Sequence, residues 1–204
     1  MSVLINDREL EEKLRAERQA KGLDRWDEVW EGVYVMPPMP NDEHQEIQAA
    51  LIGILQHVIK WTGLGEVRGG VNISDREDDW RQNFRCPDVA VFLKGTSARN
   101  LQTFWLGGPD FAVEIVSPGD SAWDKLDFYA SVGVGELLII DRLPWKLELY
   151  RLNAGRSVEV GNSVSTSSEL LQSGVVPLSF RLVAGGARPM IEVLHYDGVQ
   201  RWVV

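Results

Sequence analysis

Two short apolar runs each carry one carboxylate at an end. Asp88 opens the run Val89 to Leu93, directly after Cys86-Pro87, and Glu114 sits near the end of the run Phe111 to Val116. Both runs are short, rich in β-formers and bounded by chain breaks, which predicts two central strands. If the strands pair antiparallel, the start of one lies beside the end of the other, and the two acids converge at one rim of a sheet. A carboxylate inside an apolar strand is costly unless it is paired, protonated or bound to a metal. Two readings are open: an ion pair with an arginine such as Arg85, or a divalent-metal site. Two acids at matching ends of successive core strands favour the metal site. Without a counter-charge they repel, so neutralising either is expected to leave the apo fold intact or slightly stabilised. Lys125, eleven residues after Glu114, either reaches back to this rim or is a solvated lysine paired with Asp124 or Asp127.

The surrounding segments must position these groups. Residues 8–21 are charged and predict a weakly packed helical arm, with a stripe of little more than Leu10 and Leu14. Residues 26–36 read as one strand, ended by Pro37, Pro38 and Pro40, which cannot continue a ladder. Asn41 or Asp42 caps a long helix, Asp42 and Gln45 having capping-box spacing. Ile47, Leu51, Ile54, Leu55 and Val58 form its buried stripe, and Gly63 and Gly65 end it. Ser121 can cap a second helix through about Val132, which Gly133 stops. Strands are expected at Glu136–Ile140 and Lys146–Leu152. Residues 153–170, rich in Gly, Ser and Asn, read as a loop or weak hairpin, and the tail from Val176 to Val204 carries short β-like pieces. The order gives a mixed α/β fold, a central mixed sheet flanked by helices with extra C-terminal β elements. A single domain over 1–204 is expected, with an arm at 1–25, a core at 26–152 and a β-rich extension at 153–204.

Other candidates are weighed the same way. His44 is in register with Ile47, Leu51 and Ile54, so it extends the buried stripe by one turn toward the sheet. It is either a histidine hydrogen-bonded at a helix start or a catalytic group. Glu31 shares strand parity with Val29, Val33 and Val35, and is either edge-exposed or facing a site. Cys86 reads as a small buried hydrophobe. The acidic loop Asp75–Asp79 lacks EF-hand spacing and reads as a solvated tip.

The residues Pro87-Asp88, Glu114-Ile-Val-Ser-Pro118 and Asp124-Lys125-Leu126, followed by Tyr129-Ala130, resemble the Uma-type family of restriction-endonuclease-like proteins within the PD-(D/E)XK nuclease superfamily. Trp30-Glu31-Gly32, Met36-Pro37-Pro38 and His44 are similar to its N-terminal pattern. The resemblance implies a restriction-endonuclease-like core over about 26–152 and a Mg²⁺-dependent (or Mn²⁺-dependent) nuclease site. There the positions of Asp88 and Glu114 bind metal, Glu31 completes the metal shell, and a lysine activates or orients the attacking water. The superfamily places that lysine two residues after the glutamate, where this chain has Val116. Lys125, on the following helix, stands in for it.

Composition sets the outer bounds. The chain has 204 residues, 30 acidic and 21 basic, with a formal charge of −9. That disfavours a general nucleic-acid coat, which needs clustered Lys and Arg. It leaves room for an enzyme whose acids hold metal against a phosphodiester. One cysteine excludes an intramolecular disulfide. No apolar run approaches the roughly 20 residues of a membrane span, and residues 1–20 lack a signal-peptide apolar region, so a cytoplasmic protein is expected. The expectation is an endonuclease acting on nucleic acid, DNA in the first instance, as a homodimer. Its rivals are a non-catalytic binding or scaffold protein of the same fold, and a two-carboxylate glycosidase independent of metal.

Overall fold

A computed structural model describes residues 3–5, 7–37, 39–119, 122–167 and 169–204. Pro38, and Ser121 as a helix cap, lie outside the described residues. From the N-terminus, β1 (Val3–Ile5) and α1 (Arg8–Ala20) lead to β2 (Glu28–Trp30) and β3 (Val33–Met36). Then come α2 (Asp42–Leu55), continued by one π-turn over Gln56–Lys60, and β4 (Gly65–Gly69). The short strands β5 (Ile73–Ser74) and β6 (Phe84–Arg85) precede β7 (Val89–Leu93), and β8 (Arg99–Asn100) and β9 (Trp105–Leu106) precede β10 (Phe111–Ile115). A 3-10 turn, Ala122–Lys125, runs into α3 (Leu126–Ser131). The long strands β11 (Glu136–Arg142), β12 (Trp145–Asn153) and β13 (Arg156–Val164) follow, then β14 (Leu171–Gln172), β15 (Leu178–Val183), β16 (Met190–His195) and β17 (Arg201–Val203).

The described strands form three sheets, and the central one has the order β13-β12-β11-β10-β7-β4. β7 and β10 are interior and antiparallel, with Val113 opposite Val89. β10 and β11 are parallel, so the 3-10 turn and α3 make the crossover that such a pair requires. Every residue of β10 is buried because both faces are covered, which is why the strand reads as an unbroken apolar run. Phe111, Val113 and Ile115 join the core beneath α2, where Ile47, Leu51 and Ile54 pack. Ala112 and Val116 face the other way, onto Phe128 and Tyr129 of α3. Glu114 belongs by alternation to this second face, at the foot of α3.

One expectation is corrected by the structure, and two that left alternatives open are decided by it. Residues 26–36 form a hairpin rather than one strand: Trp30 pairs with Val33, and Glu31 and Gly32 both have positive φ, 46° and 83°. A two-residue turn of that kind matches the right-handed twist of the flanking strands. Residues 156–164 form a nine-residue strand laddered on β12; its polar composition reflects an edge position facing water. The cap of α2 is Asn41, whose side chain accepts from the His44 amide at 3.0 Å, while Gln45 turns to the Pro40 carbonyl. The arm α1 is also better docked than its stripe suggested. Arg18 pairs with buried Asp27 at 2.6 Å, and Leu14 packs against Ile5, Val29 and Tyr34.

Candidate active site

The register of β7 and β10 brings Asp88 and Glu114 to one rim. The Ile115 amide donates to Asp88 Oδ2 at 2.7 Å, tying the start of β7 to the end of β10. His44, on the first turn of α2, sets Nε2 3.3 Å from Asp88 Oδ1. Gln48, one turn on, donates to the Asp88 carbonyl at 2.8 Å. Asp88 is thus held from the strand below and the helix above.

Glu114 is 2% exposed, and Lys125 lies against it. The Lys125 ammonium is 3.1 Å from Glu114 Oε1 and 3.2 Å from Oε2, and the Tyr129 hydroxyl donates to Oε1. Burial, reinforced by the Glu114 charge, pushes the Tyr129 phenol well above its ordinary pKa. It therefore remains a donor at every working pH. Lys125 ends the 3-10 turn and begins α3, so one helical step separates it from Tyr129 on the face that packs onto β10. Neither Asp124 nor Asp127 is its partner in these bonds.

The third carboxylate is Glu28, on β2, rather than Glu31 in the hairpin turn. Glu28 Oε1 accepts from Lys125 at 3.0 Å and from the Cys86 amide at 2.8 Å. Its Oε2 accepts from the Trp30 indole at 2.7 Å. Glu31 is elsewhere: the turn carries it outward, its side chain 71% exposed and 3.3 Å from Arg76, with Asn83 donating at 2.6 Å. A signal for the switch was present, because Glu31-Gly32 between two β-rich segments is a hairpin turn. A turn residue cannot share the strand's buried face. Arg85 is not the counter-ion of either rim acid. Its guanidinium is sandwiched 4.7 Å from Trp30 and 4.2 Å from Phe128 and donates to the Val29 carbonyl at 2.9 Å. Burial lowers its pKa.

Glu28, His44, Asp88, Glu114 and Lys125 line one cleft of about 40 Å³, together with Trp26, Pro37, Pro40, Cys86 and Ser117. That volume admits a few water-sized groups. Three carboxylates face one ammonium, a formal charge of −2. Among the described residues no group of three or more His, Cys, Asp or Glu is gathered closely enough to hold a metal ion, so an all-protein cage of the zinc or calcium kind is not built here. Mg²⁺ asks for less: one or two carboxylates and room for its own waters. The hard oxygen donors of Asp88 and Glu114, the negative cleft and its small open volume fit that ion.

The Uma2 family model, described as "putative restriction endonuclease", matches residues 10–182. The chain belongs to the Uma2 family. Its fold is restriction-endonuclease-like, and proteins of that kind generally use divalent metals. Among solved structures, this Uma2 chain is similar to the crystal structure of a "putative nuclease belonging to DUF820" from Anabaena variabilis. The TM-score is 0.57 at 19% identity, over 72% of this chain and 80% of that one. No curated protein matches the sequence. No helix among the described residues is long and apolar enough to cross a membrane.

Proposed function

We propose that the cleft is the active site of a Mg²⁺-dependent endonuclease that hydrolyses phosphodiester bonds in DNA. The observation that carries this reading is the return of Lys125, from the helix after β10, to within 3.2 Å of Glu114. It supplies the rim with the cation that the superfamily draws from the position of Val116. Bound between Asp88 and Glu114, Mg²⁺ would supply Lewis-acid charge neutralisation and a water of lowered pKa. The chain's own residues do the rest. Glu28 and Glu114 hold the Lys125 ammonium where charge develops on the phosphorane, and a preorganised charge there is worth far more than in water. Tyr129 fixes the orientation of Glu114, and the Ile115 amide and His44 fix that of Asp88. Glu31 has no part in this reading. A cytoplasmic homodimer remains part of it, to be checked by molar mass in solution.

The test is a nuclease assay on plasmid, linear duplex and single-stranded DNA with Mg²⁺, Mn²⁺ or EDTA. Cleavage should require the divalent ion. Lys125→Met should lower the rate by on the order of 100-fold or more while Mn²⁺ binding, read by calorimetry, is retained. Val116 at the usual lysine position favours one rival, a binding protein of the same fold. Metal binding without cleavage of any substrate by the wild type would decide for that rival.

A further inference from the structure

A second cavity, of about 350 Å³, lies beyond the wall of the catalytic cleft. Trp26 lines the cleft, and its chain neighbours Arg25 and Asp27 line the cavity. The wall is set by close packing: a Cβ at Gly70 would lie 1.9 Å from the Trp26 ring. Asn72, Trp80, Arg81 and Phe84 also line it.

The charges in this cavity are unusual for the chain. Most arginines are spent on carboxylates, including Arg15 on Glu11 and Arg18 on Asp27. Among the described residues Arg25 and Arg81 make no ion pair, although both are exposed and both line this one cavity. Each guanidinium lies over an indole, Arg25 4.7 Å from Trp26 and Arg81 5.5 Å from Trp80. Stacking restrains the side chain, and a restrained planar fork of N–H donors is suited to binding phosphate. The nearby acidic run is partly neutralised, Asp75 by Arg76 and Glu77 by Arg99, and Asp27 is already taken by Arg18. Of the lining carboxylates, only Asp24 is left to offset Arg25 and Arg81.

We infer that this cavity receives one nucleotide of a single DNA strand running from the catalytic cleft across Trp26. Arg25 and Arg81 would bind its backbone phosphates, and Phe84, which also lines the cavity, would take its base; Trp80 is already held between Phe104 and Arg81. Cationic groups combined with aromatic faces are the general means of holding unpaired strands. A stacked duplex step offers no free base face to such a ring, and about 350 Å³ is at the small end of ligand pockets. The inference rests on the nuclease reading and narrows its substrate to DNA with an unpaired segment.

Binding is measured by fluorescence anisotropy in EDTA, with a labelled oligodeoxythymidine and a duplex of equal length across a salt series. The wild type should bind the single strand at least about tenfold tighter. Arg25→Gln/Arg81→Gln, exposed positions without ion pairs to lose, should weaken it by roughly tenfold. Their removal should also flatten the slope of log affinity against log salt by about 1.4, the value for two single-strand phosphate contacts. An unchanged affinity and slope in the double variant, preference for the duplex, or no binding of either DNA by the wild type would overturn the cavity's role. Wild-type hydrolysis of bis(p-nitrophenyl) phosphate with Mn²⁺, a diester too small to span both sites, separately tests the nuclease reading. Activity there with failed strand binding removes the cavity alone; inactivity there removes the reading it rests on.

Discussion

At the scale of single residues, the site is a buried charge cluster gathered around one ammonium. Expecting two repelling acids overlooked that Lys125 already supplies Glu114 with its counter-charge in the folded chain. Lys125, Glu28 and Glu114 have side chains only 8%, 4% and 3% exposed, so the interaction lies well away from solvent screening. Removing one partner of a buried pair leaves uncompensated charge, at a cost on the order of 3–5 kcal/mol. Lys125→Met should therefore lower the apo melting midpoint by roughly 10 °C for a chain of this size. Mg²⁺ or Mn²⁺ should recover more of that loss in the variant than it adds to the wild type, because it takes over the neutralising role. Thermal melts with and without metal measure both effects. An unchanged apo midpoint would mean that the ion pair is not formed in solution.

At the scale of elements, the rim depends on how α2 is moored to the end of β10. Arg142, at the close of β11 and 5% exposed, is the mooring. Its Nη1 reaches Asn41 at 2.8 Å and Glu43 at 2.9 Å, while Nε and Nη2 reach the Val116 carbonyl at 3.1 Å and Ser117 at 3.3 Å. One guanidinium thus links the cap of α2, which carries His44, to the segment following Glu114. Lysine cannot reproduce this fork. Arg142→Lys should speed hydrogen exchange in the first turn of α2 and cut turnover about tenfold with KM little changed, since small misplacements of a reacting constellation are expensive. Normal exchange in that turn would show that α2 is held by its buried stripe alone. Gly70 is the other pivot. With φ +59° and the Trp26 ring on it, Gly70→Ala combines a left-handed backbone with a clash, and should cost about 1–3 kcal/mol in a denaturant melt.

For the whole molecule, the phenols set an alkaline limit. Burial raises the pKa of Tyr34 and Tyr129, and pushes Tyr150, helped by the Glu148 charge, up to about 12. A folded chain with raised values keeps these protons when the unfolded chain gives them up. The stability is therefore complete below about pH 10 and is lost as pH rises toward 12, each phenol contributing up to about 1.4 kcal/mol per pH unit in that window. Absorbance at 295 nm should show Tyr196, which is half-exposed, titrating first. The other three should titrate only together with loss of the circular dichroism signal. Three phenols ionising near pH 10 with the fold intact would contradict this packing.

Local signals were enough to identify the two apolar strands, the stripe of α2, and the rim shared by Asp88 and Glu114. Each depends on a periodicity or an end position, whereas the antiparallel pairing that joins the two ends entered only as a condition and is supplied by the sheet. The candidate lysine was legible because its helix follows the Glu114 strand directly. Glu28 was not, since Cys86 and Lys125, which donate to it, lie 58 and 97 positions away along the chain. Only tertiary folding brings a carboxylate from a distant hairpin to that rim. The same holds for residues 156–164, whose polar composition has no strand signature until β12 offers a ladder. Strand parity placed Glu31 on the wrong side because parity holds only within one strand, and the positive φ at Glu31 and Gly32 ends the strand there. What the local pattern could settle was which residues carry an apolar face and where a charge interrupts it; which charges meet across the cleft was decided by the packing of the hairpin, β10 and α3, because burial forces each carboxylate to find its cation wherever the chain returns one.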